Sequence, residues 1–165
     1  MKLNNYLNKV LDNRELRQKK QWELIDKYNS PVLSLTINIP GSKKLTDDSK
    51  YIYKMALKEI ESLELKELEK ILTSKETGCE ALISLSIKAE ELKMLTCKIE
   101  ETHLLGRFMD IDVIDENKQI LSRKIPRKCY ICEEKAKVCA RSQKHSLEDL
   151  LQYIGKTVDD YKSSI

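Results

Sequence analysis

Ile71-Leu72-Thr73-Ser74, then Thr77-Gly78, then Ala81-Leu82-Ile83-Ser84-Leu85-Ser86-Ile87 is the stretch on which the fold turns. Leu65 to Leu72 could prolong a helix, but apolar and β-branched residues on both sides of Thr77-Gly78 favour a β-hairpin. Upstream, Pro31 ends a helical register, and Val32-Leu33-Ser34-Leu35-Thr36-Ile37-Asn38-Ile39 reads as a buried strand closed by Pro40-Gly41. Thr46 to Leu63 is an amphipathic helix that turns Ile52, Met55, Ala56, Ile60 and Leu63 inward. Downstream, Ala89 to His103 has helical spacing through Leu92, Leu95 and Ile99, and Arg107 to Ile114 is a strand. Asp115-Glu116-Asn117-Lys118 then turns the chain back into Gln119-Ile120-Leu121-Ser122-Arg123.

With the hairpin in place the order predicts an α+β fold. A small, mostly antiparallel sheet of ferredoxin-like β-α-β-β-α-β type gains an extra hairpin strand. Leu3 to Tyr28 adds a helical extension in two pieces, with Asp12 or Asn13 capping the second. Leu147, Leu150, Leu151, Ile154, Val158 and Tyr161 mark a C-terminal helix capped by Ser146. The 165 residues fit one domain: a helical extension over 1–29, an α/β core over 30–124, and a cysteine segment with the last helix over 125–165.

Hydrophobic residues at 41% and charged residues at 35% exclude a disordered or membrane-embedded chain. A net charge of +3 from 30 basic and 27 acidic side chains argues against a general nucleic-acid or membrane-surface binder. The basic excess is local. Arg123, Lys124, Arg127, Lys128, Lys135, Lys137, Arg141 and Lys144 meet only Glu133 and Glu134 in their stretch, which points to a polyanionic ligand. Met1-Lys2-Leu3 opens without an apolar leader, and the five cysteines are odd in number with three clustered. A cytoplasmic protein without a disulfide framework is expected.

Asp110 and Asp112, two apart on one strand, share a face. Such a pair can hold Mg²⁺ together with substrate phosphates, which suits phosphoryl chemistry. Set among Phe108, Met109, Ile111 and Val113, the two charges need compensation. Either a metal or Arg107 and Arg123 can supply it. Cys129, Cys132, Cys139 and His145 form a Cys₃His set with the residue types of a structural Zn²⁺ site; small buried cysteines and a solvated histidine are the alternative. Arg14 and Arg17, one helical turn apart with Gln18 beside them, are either a solvated face or phosphate ligands, as are Arg127 and Arg141.

His103-Leu104-Leu105-Gly106-Arg107-Phe108-Met109-Asp110-Ile111-Asp112-Val113, Leu121-Ser122-Arg123, Arg127-Lys128-Cys129-Tyr130-Ile131-Cys132 and Val138-Cys139-Ala140-Arg141-Ser142-x-x-His145 occur in that order. Together with Arg14-x-x-Arg17-Gln18 and Pro31 to Gly41, the series resembles the citrate lyase holo-(acyl-carrier protein) synthase family over most of the chain. The resemblance implies transfer of a phosphoribosyl-dephospho-CoA unit from 2′-(5″-triphosphoribosyl)-3′-dephospho-CoA to a serine of the apo acyl-carrier subunit of citrate lyase, with release of diphosphate. On that reading Asp110 and Asp112 hold Mg²⁺, and Arg107 joins them as a catalytic residue. Arg14, Arg17, Gln18, Ser122, Arg123, Arg127 and Arg141 bind substrate, and the base is a carboxylate or His103. Neither nucleic acid nor membrane is a partner. A malonate decarboxylase carrier as acceptor, or a non-catalytic zinc-containing binding or assembly module, is the alternative.

Overall fold

The computed structural model describes residues 2–165. β1 (Val32–Ile37), α2 (Asp47–Glu61), β2 (Glu67–Lys75), β3 (Gly78–Leu85), α3 (Ala89–Thr102) and β4 (Met109–Ile114) follow in sequence, after α1 (Lys2–Tyr28). The four strands are ordered β2-β3-β1-β4, each pair antiparallel. β3 thus lies between β1 and β2, and β1 between β3 and β4, so two split β-α-β units interleave as the ferredoxin-like expectation required. The hairpin joins Lys75 to Gly78, whose φ of 121° disfavours side-chain-bearing residues.

Strand alternation sorts the sheet into two faces. Leu33, Leu35, Ile83, Ile111 and Val113 pack with Ile52, Leu92 and Ile99 of α2 and α3, and with Ile154 and Val158 of α5 (Leu147–Ser164). Val32, Leu82 and Ile114 on the other face meet Leu24 and Ile25 of α1. Thr46 and Ser49 form a reciprocal capping box at the start of α2, and the Ser146 side chain accepts from Asp149 N–H at the start of α5. No described helix is long and apolar enough to cross a membrane.

Three expectations need correction. The N-terminal extension is one helix of 27 residues, not two pieces. Asn13 does not cap it; its side chain donates to Glu80 of β3 at 2.7 Å, and Gln21 further along donates to Ser34 of β1 at 2.9 Å. A continuous row of such anchors to the sheet removes any reason to break. The last strand begins at Met109, because Gly106–Phe108 is a 3₁₀ turn. A Cβ on Gly106 would stand 2.6 Å from the Glu100 carbonyl oxygen, so this turn presses its backbone onto the end of α3.

The extra hairpin strand shrinks to an Ile114–Ile120 bridge and a Leu121 N–H bond to the Val113 carbonyl at 2.9 Å. The reason lies on the edge of β4. Ile111 N–H donates to Glu100 Oε1 at 2.8 Å, while its carbonyl accepts from Lys93 Nζ at 3.3 Å. The Met109 carbonyl accepts from Arg127 at 3.1 Å. Side chains have taken the groups that a fifth strand would use.

Candidate active site

The register puts Glu80, Thr36 and Asp110 in one row across β3, β1 and β4, and Leu82, Ser34 and Asp112 in the next. These residues belong to the face that α1 crosses. Arg14 and Arg17 of α1 and Lys44 of the β1–α2 connection join Thr36, Glu80 and Asp110 around a cavity of about 210 Å³. Arg17 is ion-paired with Glu80, which is only 8% exposed. Lys44 donates to the Ile39 carbonyl, and burial, reinforced by nearby Arg14, lowers its proton affinity. Thr77 Oγ1 is buried beside the same cavity without a hydrogen-bond partner among the described residues.

Burial raises the Asp112 pKa above the ordinary carboxylate range, and Asp110 raises it further against Lys93, Arg127 and Arg17. Two like charges on one face are therefore only partly compensated. Asp110 lines the cavity beside Thr36 and Asn38, while Asp112, on the same strand face, stands outside its lining. Carboxylate oxygens are the hard ligand type that divalent cations take.

The structure separates the other candidates. Arg127 reaches Asp110 Oδ1 at 3.4 Å while also pairing with Glu100 of α3. Arg123 goes to Glu100 at 2.5 Å and to Glu101 at 3.8 Å. Glu100 is 2% exposed, and burial raises its pKa against the pull of Arg127, Ile111 N–H and Arg123. Ser122 and Arg123 therefore do not return beside the aspartates; they line a groove along α3 with Lys93, Met94 and Cys97. Arg107 lies half-buried in the 3₁₀ turn, within electrostatic range of Glu133. Gln18 is exposed on α1, and Arg141 is exposed on α4 (Ala136–Ser142).

His103 sits on the opposite side of the sheet from the carboxylates. Its Nδ1 accepts from Leu105 N–H at 3.0 Å, and its Nε2 lies 3.3 Å from the Tyr161 hydroxyl and 3.8 Å from Glu59. Burial lowers its pKa, overriding the attraction of Glu59. Between the folded value and the ordinary value near 6.5, the unfolded chain binds a proton that the folded chain refuses. Stability contributed by neutral His103 is thus present above that window and lost as pH falls through it. The fall in urea midpoint from about pH 7 to about pH 5 is expected to be shallower in His103→Gln than in the unsubstituted protein. Parallel pH profiles would contradict this.

A family model described as apo-citrate lyase phosphoribosyl-dephospho-CoA transferase (CitX) matches residues 5–161. A Vibrio cholerae protein named "Probable apo-citrate lyase phosphoribosyl-dephospho-CoA transferase" is 37% identical over 164 residues, covering 94% of this chain and 92% of its own. An Escherichia coli O157:H7 protein named apo-citrate lyase phosphoribosyl-dephospho-CoA transferase is 32% identical over 159 residues, covering 92% and 87% respectively. The chain belongs to the apo-citrate lyase phosphoribosyl-dephospho-CoA transferase family.

This member of the transferase family brings Cys129, Cys132, Cys139 and His145 together, with one ligand atom from each within 4.8 Å of all the others. The group can hold a metal ion. Cys132 Sγ lies 3.4 Å from Cys139 Sγ and 3.3 Å from His145 Nε2, near the separations of about 3.5–3.8 Å that tetrahedral zinc–sulfur and zinc–nitrogen bonds imply. All three cysteines are free thiols. A hydrogen bond that Cys132 Sγ accepts from the Glu134 backbone, with another from the His145 side chain, draws Cys132 down to about 6, whereas burial and its crowded neighbours push Cys139 up. The backbone frames the group: Cys129 N–H bonds the Glu134 carbonyl at 2.7 Å, and Ala136 N–H bonds the Arg127 carbonyl at 2.9 Å. The cluster is thereby fastened to the arginine that touches Asp110.

Sequence reasoning missed Glu80, Lys44 and Glu100. Glu100 did carry a signal, since it follows Leu92 and Thr96 at intervals of four on the inward face of α3.

Proposed function

We propose that this chain transfers the phosphoribosyl-dephospho-CoA group to apo-citrate lyase by nucleotidyltransferase-type chemistry in the cytosol. The donor is 2′-(5″-triphosphoribosyl)-3′-dephospho-CoA, and the acceptor is a serine of the acyl-carrier subunit. The serine Oγ attacks the phosphorus nearest the ribose. A new P–O bond forms as the bond to the departing diphosphate breaks, and the serine proton passes to a carboxylate oxygen of the Asp110–Asp112 pair. The observation that carries this reading is the single cavity in which Asp110 meets Arg14, Arg17 and Lys44.

Guanidinium forks and an ammonium suit triphosphate oxygens. Glu80 holds Arg17 from behind, so the arginine enters substrate binding already oriented. Arg127, shared between Glu100 and Asp110, keeps the strand end and its carboxylate in place. Asp110 and Asp112 would hold Mg²⁺, which when bound supplies charge neutralisation on the phosphoryl group and the leaving diphosphate. Arg107 stands close in sequence to both aspartates and within electrostatic range of Glu133 in the cysteine segment, and serves the triphosphate from the 3₁₀ turn. Zn²⁺ in the Cys₃His group is structural, since four protein ligands leave no open position.

Purified protein incubated with the apo-carrier, the triphosphoribosyl precursor and Mg²⁺ is expected to raise the carrier mass by one prosthetic group. A carrier of unchanged mass would reject the assignment.

A further inference from the structure

A second, larger cleft of about 640 Å³ adjoins the Asp110 cavity. The two share Asn38, which lines both. From there the cleft runs between the end of β1 and the cysteine segment, bordered by Gly41, Tyr130, Ala140, Gln143 and Leu150. Cys129, Cys139 and His145 form part of its wall, but a metal ion among ligand atoms within 4.8 Å of one another fills only a corner of such a volume.

The lining is suited to a flat aromatic group with polar edges. Tyr130 is held rigid by stacking on Tyr153, with centroids 5.5 Å apart and planes at 24°, and by an edge contact with Phe108 at 5.4 Å. Ala140 and Leu150 add apolar surface, and the carboxamides of Asn38 and Gln143 offer donors and acceptors. Gly41 shapes one end. Its φ is 80°, and a Cβ there would approach the Leu147 side chain to 3.1 Å. Concave sites of this size take small molecules, whereas a docking protein buries a broad surface of roughly 800 Å² on each side.

We propose that this cleft binds the adenine nucleoside of the dephospho-CoA moiety, while the triphosphate lies in the adjoining cavity. The inference rests on the transfer reading above and adds where the non-reacting half of the donor is held. Binding energy from that half positions the phosphorus at the carboxylates.

Ala140 is exposed on α4, so a larger side chain there fills the cleft without entering the core. Calorimetric titration of the metal-replete protein with 3′-dephospho-CoA and, separately, with inorganic tripolyphosphate tests the proposal. Ala140→Phe is expected to weaken dephospho-CoA at least about tenfold and to leave tripolyphosphate within about twofold. Ala140→Ser is expected to bind both as the unsubstituted protein does. Failure of dephospho-CoA to bind the unsubstituted protein, equal binding by Ala140→Phe, or a rise confined to the KM for the carrier would overturn it. The transfer reading fails on a different result, a carrier of unchanged mass after incubation with the unsubstituted protein, so the two can be told apart.

Discussion

Asp110→Asn is expected to leave a folded protein that no longer shifts the mass of the carrier, with transfer reduced by on the order of a thousandfold or more. Asparagine keeps the volume and one oxygen but removes the charge that a hard cation and Arg127 both answer to. The side chain is 47% exposed, so the stability change should stay within about 1 kcal/mol. Circular dichroism and urea denaturation check the fold, and intact-mass spectrometry checks the chemistry. If the substituted protein loads the carrier at the ordinary rate, Asp110 has no part in the reaction. Asp112→Asn separates the members of the pair. It relieves the like charge that burial aggravates, so the fold should tolerate it or gain slightly while transfer still collapses.

Loss of the metal from the Cys₃His group is the second large effect. Protein purified without chelator is expected to carry close to one zinc per chain, and Cys139→Ser is expected to carry far less. Without the metal, the segment from Arg127 to His145 depends on the Lys128–Lys135 bridge and the short α4. Few large apolar side chains from that segment enter the core, so its order is expected to depend on ligation. The melting temperature should fall by on the order of 10 °C, with new proteolytic sites between α3 and α5. Transfer should fall as well, because Arg127 loses the frame that aims it at Asp110 and Glu100. Zinc far below stoichiometry, with unchanged melting in Cys139→Ser, would dismiss the site.

The α+β order was legible because each strand alternates or runs apolar at the right length and each helix repeats its inward residues. The hairpin around Gly78 was legible from β-branched residues on both flanks. Boundaries failed where tertiary contact overrides local preference. Gly106 bends the start of the last strand into a turn against α3, and Glu100 closes the edge that the alternation of Gln119 to Arg123 predicts as a strand partner. The carboxylate pair could be read because its members are two residues apart. Glu80 could not, since its place beside Asp110 depends on two strand registers through Thr36. Arg123 and Arg127 are indistinguishable by composition. That Arg127 reaches Asp110 follows from a backbone bond to Ala136 and from the isolated Lys128–Lys135 bridge at the base of the cysteine cluster.

The shielding of β4 bears on how the protein behaves in a crowded solution. A sheet edge with free amides and carbonyls invites another chain to pair with it, and repeated pairing leads to aggregates. Here Glu100, Lys93 and Arg127 occupy that edge with charge, while the opposite margin, β2, carries a bulge at Glu67–Glu69 and the exposed lysine Lys75. The ion pairs that steady β4 also deny neighbouring molecules a template. Substitutions at Glu100 should therefore be judged by colloidal stability at high concentration as much as by turnover.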